Sequence, residues 1–290
     1  GAWLAEEERT VWEGGRLRTE RLRRLGAITL TTTPGPPPGP TAVAEAVVAR
    51  VRAEGADAGL GVLPWDEEAL GLRARLALLH EHLGEPWPDM SDAALAERAE
   101  EWLAPAVASL AGQAGGVNGA SGRGGSASGS GSRRFSLERL DVAQALRALL
   151  PWPQAVRLDE LVPERIEVPS GSQVRVDYTA ALGGAAGASG SVGSAGSAEA
   201  GLAGRPVLAV RVQECFGWAA TPRIVEGRVA VLLHLLSPAR RPVAVTDDLA
   251  SFWEQGYPQV RAEMRGRYPK HSWPEDPWNA PATRGTGRRR

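Results

Sequence analysis

A chain of 290 residues, 43% of them apolar, is long enough for two modules around sizeable cores. Its formal net charge of −1 excludes attraction of the whole protein to polyanions, so any such attraction must be local. One unpaired cysteine, Cys215, and no apolar run of the ~18 residues a membrane span needs predict a cytoplasmic protein without a membrane partner.

The opening "GAWLAEEERT" lacks the basic start and apolar core of a signal peptide, and it lacks a starting Met, which predicts a fragment or a processed product. Residues 1–40 then read as a hairpin and a spacer. Val11 and Trp12 lead into a Glu13-Gly14-Gly15 turn, and a return strand rich in arginine and threonine follows. Such a piece has no core of its own, so we expect it to end an upstream β domain. "TPGPPPGP" (33–40) is a stiff polyproline-like spacer.

Residues 41–150 are predicted helical. Ala44, Val47, Val48 and Val51 share one face; Ala69, Leu72, Leu76, Leu79 and Leu83 recur at 3,4 spacing behind Asp66-Glu67-Glu68. Ser91 and Asp92 offer caps for a third helix carrying Leu95, Ala99, Trp102 and Leu103. A fourth, after Ser136, is expected to bury Leu137, Leu140, Leu146 and Leu149. Residues 111–132 are 14 of 22 Gly or Ser and read as an insert.

Residues 151–290 form a third division in which, from about residue 164, the period becomes two. "QVRVDYT" and "PVLAVRVQ" face each other across residues 180–204, where 21 of 25 are Gly, Ala or Ser, as two strands of one long-looped hairpin. "RVAVLLHLL" and "RPVAVT" supply two more strands, joined by Ser237-Pro238-Ala239, and "DDLASFWEQ" and "PQVRAEMRGRY" follow as short helices, the second opening with Pro258. The fold class expected is therefore α+β, a helical region followed by a mainly antiparallel β domain with short terminal helices.

Chemistry is mostly excluded. The only lysine, Lys270, follows Pro269, so no G-x-x-x-x-G-K-[ST] phosphate loop exists in this sequence. His80 and His82 lie two apart on a helix and point to different faces, which disfavours a shared metal, and Cys215 reads as a small core residue. We therefore expect no catalytic residue, metal site or cofactor here. Three Trp-Pro pairs, at Trp87, Trp152 and Trp273, read as element ends docked on the core.

Charge is segregated. Residues 54–101 hold twelve acids against Arg73, Arg75 and Arg98, whereas 261–290 hold eight bases against Glu263, Glu275 and Asp276. At that basic pole "MRGRYPKHSWPEDPW" interleaves cations and rings, a combination single-strand binders use. Arg261, Arg265, Arg267 and Lys270 are candidate phosphate contacts, Tyr268 and Trp273 are candidate stacking rings, and His271 is a further candidate in the same stretch. The competing reading has Tyr268 and Trp273 anchor the tail to the β domain, with Pro269, Pro274 and Pro277 fixing its path.

The runs "VPSGS", "HLLSPARRPVAVT" and "MRGRYPKHSWPEDP", with "LPWPQAVRLDELVPERIE" before them, resemble the C-terminal region of the HrpB-type bacterial ATP-dependent helicases, relatives of the DEAH RNA helicases. The resemblance covers nearly the whole chain apart from the two Gly/Ala/Ser inserts. It implies an OB-like character for the β domain and for residues 1–40. It also implies RecA-like motor domains upstream that carry ATP, Mg and catalysis, and single-stranded RNA or other nucleic acid and those motor domains as partners. The function it implies is accessory: holding or positioning the strand. The alternative is a protein-interaction module that docks the motor or a partner without touching nucleic acid.

Overall fold

A computed structural model describes residues 4–13, 16–54, 56–115, 135–184 and 204–286. Two compact units emerge, one of residues 1–70 and 91–150, the other of residues 71–90 and 151–290.

In the first unit, β1 (Leu4–Glu13), β2 (Arg16–Leu25) and β3 (Ile28–Pro34) form an antiparallel sheet in that order. Complementary charge joins the first two strands: Arg21 meets Glu8 at 2.9 Å and Arg24 meets Glu7 at 3.0 Å. The single return strand expected from the sequence is in fact two, because Gly26 takes φ 59° and reverses the chain. β3 is exposed along its whole length. The Trp12 indole donates to the Ala46 carbonyl at 3.4 Å, and the Arg50 guanidinium lies 4.8 Å from its ring centre.

Helices α1 (Pro40–Ala53), α2 (Ala56–Leu60) and α3 (Glu67–Leu83) follow. Val43, Ala44, Val47, Val48 and Val51 of α1 are buried, and α1 packs on α5 (Ala99–Gly115). The third predicted helix is two, α4 (Asp92–Glu97) and α5, broken at Arg98. Ser91 caps α4 by accepting from the Ala94 amide at 3.2 Å. α5 continues to Gly115 and buries Ala111, so the first residues of the expected 111–132 insert are helical. The remainder of that insert lies outside the described residues. The helix expected after Ser136 is a 3-10 turn, Leu137–Arg139, then α6 (Val142–Arg147), which Asp141 caps. Leu140, Leu146 and Leu149 are buried and Leu137 is not.

The second unit takes in residues 71–90, which the sequence placed with the other helices. Arg75 explains this: almost wholly buried, it donates Nε to the Val162 carbonyl at 2.7 Å, meets Glu164 at 3.1 Å, and pairs with Asp159. Arg228 likewise donates to the His82 carbonyl at 2.6 Å. These partners lie more than 80 residues away, beyond the reach of local periodicity. α7 (Trp152–Leu161), not anticipated from the sequence, opens with Pro153 in its first turn.

The strands are β4 (Arg165–Glu167), β5 (Gln173–Asp177), β6 (Val207–Arg211), β7 (Arg223–Ile224), β8 (Val229–Ala230), β9 (Leu232–Leu236) and β10 (Pro242–Thr246). β5 and β6 pair antiparallel, Val176 opposite Leu208, as the long-looped hairpin requires. Sheet order is β10-β9-β6-β5-β4, antiparallel except between β6 and β9, and β7 pairs with β8 in a separate ribbon. Among the described residues this is an open sheet with β10 and β4 at its edges, so the closure of an OB-like barrel is not seen. After β10, α8 (Leu249–Ser251), a π turn Phe252–Gly256 and α9 (Tyr257–Arg267) run on continuously, merging the two short helices expected. No helix among the described residues is long and apolar enough to cross a membrane.

Candidate nucleic-acid interface

The basic pole is built on α9 and the tail it releases. Phe216, Phe252, Trp253 and Tyr257 form a buried aromatic cluster, with Tyr257 edge-on to Trp253 at 5.3 Å and to Phe216 at 5.8 Å. From that cluster the Tyr257 hydroxyl donates to the Pro274 carbonyl at 2.9 Å, and burial pushes the phenol's pKa up. The Gly217 amide donates to the Pro277 carbonyl at 2.9 Å. The Thr283 amide reaches the Gln213 carbonyl at 2.9 Å, and Arg284 Nε the Ser170 carbonyl at 2.9 Å. The tail is therefore tied to the β domain at Pro277, Thr283 and Arg284.

Two of the seven candidate residues serve this tie. Trp273 is 7% exposed and its indole donates to the Tyr268 carbonyl at 3.1 Å, so its ring faces the core. Arg261 donates Nε to the Trp273 carbonyl at 3.0 Å and meets Glu275 at 2.9 Å, which occupies its guanidinium. The other five lie together at the end of α9 and in the turn after it. Arg265 and Arg267 are exposed in the last helical turn, where cations also suit the helix dipole; Arg267 approaches Glu263 only to 4.0 Å. A turn closes as the His271 amide donates to the Tyr268 carbonyl at 3.1 Å, leaving Lys270 exposed within it. Tyr268 and His271 are half-buried and edge-on at 6.2 Å. Burial, and then the nearby Arg211 charge, hold the His271 pKa below its ordinary value, which favours the neutral ring. Among the described residues, neither Arg265 nor Lys270 has an acidic partner within 4.0 Å.

A polar knot beside the tail was not visible in the sequence. Glu214, nearly buried, accepts from Ser172 Oγ at 2.7 Å and Ser170 Oγ at 3.1 Å and pairs with Arg211 at 3.1 Å. Burial raises its pKa, but these three partners outweigh it and the net shift is downward. The knot holds the Val168–Ser172 loop that Arg284 also grips. Serine and glutamate 42 and 44 residues apart give no local signal.

The other candidates resolve as follows. Cys215 is fully buried, its thiol contacting the Arg211 carbonyl at 3.7 Å, and burial pushes its pKa up, away from the thiolate. His80 Nδ1 bonds the Trp87 carbonyl at 2.8 Å. No group of three or more His, Cys, Asp or Glu side chains is placed to hold a metal among the described residues. Trp87 is buried as expected of a docked Trp-Pro element, whereas Trp152 is 81% exposed, against that expectation: it stands in the first turn of α7, whose inward face is supplied by Leu158 and Leu161.

Residues 127–277 match the family HrpB_C, described as ATP-dependent helicase C-terminal. The ATP-dependent RNA helicase HrpB of Escherichia coli strain K12 is 36% identical over 287 residues, covering 98% of this chain and 30% of that protein. The crystal structure of E. coli DExH-box NTPase HrpB is similar with a TM-score of 0.66 and 33% identity, over 97% of this chain and 29% of that one. A second, of the E. coli DEAH/RHA helicase HrpB, gives 0.60 and 32%, over 93% and 29%. The chain belongs to the HrpB-type family of ATP-dependent helicase C-terminal regions, and it spans less than a third of the length of these relatives.

Proposed function

We propose that this chain is the accessory C-terminal portion of an ATP-dependent helicase and that its second unit holds single-stranded nucleic acid, RNA in the first instance. ATP and Mg belong, in this reading, to RecA-like motor domains outside the chain, which are also its partners. The buried, unpaired Cys215 fits a reducing cytoplasm as the place of work.

One observation carries the reading. Arg265 and Lys270 are exposed and unpaired at the end of α9, whereas Arg21, Arg24, Arg50, Arg98, Arg147 and Arg157 each meet a glutamate. Unpaired cations can release counterions from phosphates; paired ones are already neutralised. Binding of a single-stranded oligonucleotide should therefore weaken linearly on a log–log salt plot, with a slope of ~0.7 per phosphate contact, and Arg265→Ala with Arg267→Ala should lower that slope without unfolding. An unchanged affinity and slope in the double variant would remove α9 from the interface.

A second reading has its own observation. Trp152 and Val156, 81% and 68% exposed, lie four residues apart on α7 and so share a face. An apolar stripe of this kind suits docking to the motor domains or another protein. Should Trp152→Ser leave nucleic-acid binding intact while weakening association with the motor domains, both activities belong to this chain.

A further inference from the structure

The turn between β9 and β10 is built more tightly than a connection needs. The Ser237 amide donates to the Arg241 carbonyl at 2.8 Å, the Arg240 amide to the Ser237 carbonyl at 2.9 Å, and the Arg241 amide to Ser237 Oγ at 3.1 Å. Ser237 is 1% exposed, and Pro238 and Pro242 restrict the backbone on either side. The conformation is therefore imposed from within the fold.

That conformation is an unusual one for its occupant. Arg240 has φ 59°, the left-handed region that glycine enters freely and that a side chain with a Cβ resists. In a hairpin closed this way the residue after the turn is the customary glycine position. An arginine kept where glycine fits better is a local conflict, and such conflicts gather where a side chain is used. Arg241 follows directly. Both are exposed, and neither has an acidic partner among the described residues, whereas Arg205 and Asp247, at the other end of β10, pair with each other.

We infer that Arg240 and Arg241 form a rigid two-cation contact for the phosphodiester backbone of single-stranded nucleic acid, separate in sequence from the α9 cluster. Planar guanidinium forks match phosphate oxygens in two-point geometry, and a preset turn holds them there before the ligand arrives. With 33 bases against 34 acids, the chain offers no general field to do this instead. The inference rests on the single-strand reading above and deepens it.

The test is anisotropy of a fluorescein-labelled 20-nucleotide oligo(U) with the 290-residue chain over a range of salt. It compares the parent, Arg240→Gly with Arg241→Gln, and Arg265→Ala with Arg267→Ala. The turn variant should bind roughly tenfold more weakly at low salt, with a salt slope smaller by about 1.4, one single-strand increment per arginine. Its thermal midpoint should equal or exceed the parent's, since glycine suits the turn. If the α9 variant loses affinity and slope but the turn variant matches the parent, the turn contact is overturned and the wider reading stands. A parent that binds no oligonucleotide at low salt overturns both. If polyglutamate, and not oligo(U), loses its binding in the turn variant, the turn docks an acidic protein and the nucleic-acid assignment falls.

Discussion

Trp273 and Tyr268, the two candidate rings of the tail, differ in burial. Trp273 is buried with its indole N–H satisfied, so Trp273→Ala leaves a cavity and takes from the Tyr268 carbonyl one of its two donors, the His271 amide being the other. We expect it to lower unfolding free energy by ~3–5 kcal/mol in urea titrations, as large buried aromatics do. Tyr268 is half-buried with an exposed neighbour in Lys270. Tyr268→Ala should cost less stability and, if the ring stacks a base, ~1–3 kcal/mol of oligonucleotide affinity. Equal stability losses in the two variants would assign both rings to the tail's anchorage. The sequence named both residues and left their roles open, since alternation of rings and cations looks the same for a stacking platform and for a docked tail. Burial divides them.

At the level of elements, the Gly/Ala/Ser tracts fall between described elements. α5 ends at Gly115, inside the first tract, and the 3-10 turn Thr179–Gly184 takes up the first residues of the second. Removal of residues 116–134 or 185–203 should leave cooperative thermal unfolding with a midpoint close to the parent's, because such tracts bury little and loop closure varies slowly with length. Loss of cooperativity in either deletion would make that tract structural. A deletion that begins at residue 111, where composition places the boundary, should do worse, since it removes the buried Ala111 and the end of α5. Composition overshoots here because glycine and alanine serve a helix end as readily as a linker.

For the whole molecule, ATP chemistry can be tested apart from binding. With its only lysine after Pro269, the chain has no phosphate loop, and we expect ATP turnover no greater than buffer in a coupled assay with or without oligonucleotide. Turnover that follows this polypeptide through repurification would overturn that expectation. The division into two units also answers to the whole chain. Residues 71–90 join the second unit, and Arg75, with partners at Asp159, Val162 and Glu164, shows what draws them there. A buried guanidinium stripped of these partners is costly, so the segment follows its charge.

What the sequence determined by itself was whatever depends on near neighbours. The apolar face of α1, the Ser91 cap, the β9–β10 pair and the basic pole all follow from periodicity, capping chemistry and charge within a few residues, and the β5–β6 pair from matching alternation on the two sides of one tract. Absence of a phosphate loop is likewise a property of the string alone. Only the tertiary structure decided that Arg261 is consumed by Trp273 and Glu275, that Glu214 holds two serines some forty residues away, and that Trp152 is exposed while Trp87 and Trp273 are buried. It also decided that Arg240 stands in a left-handed turn with its charge unpaired. The physical reason is common to all four: whether a cation is neutralised, or a ring is covered, depends on groups brought close by folding, and no spacing along the chain records them.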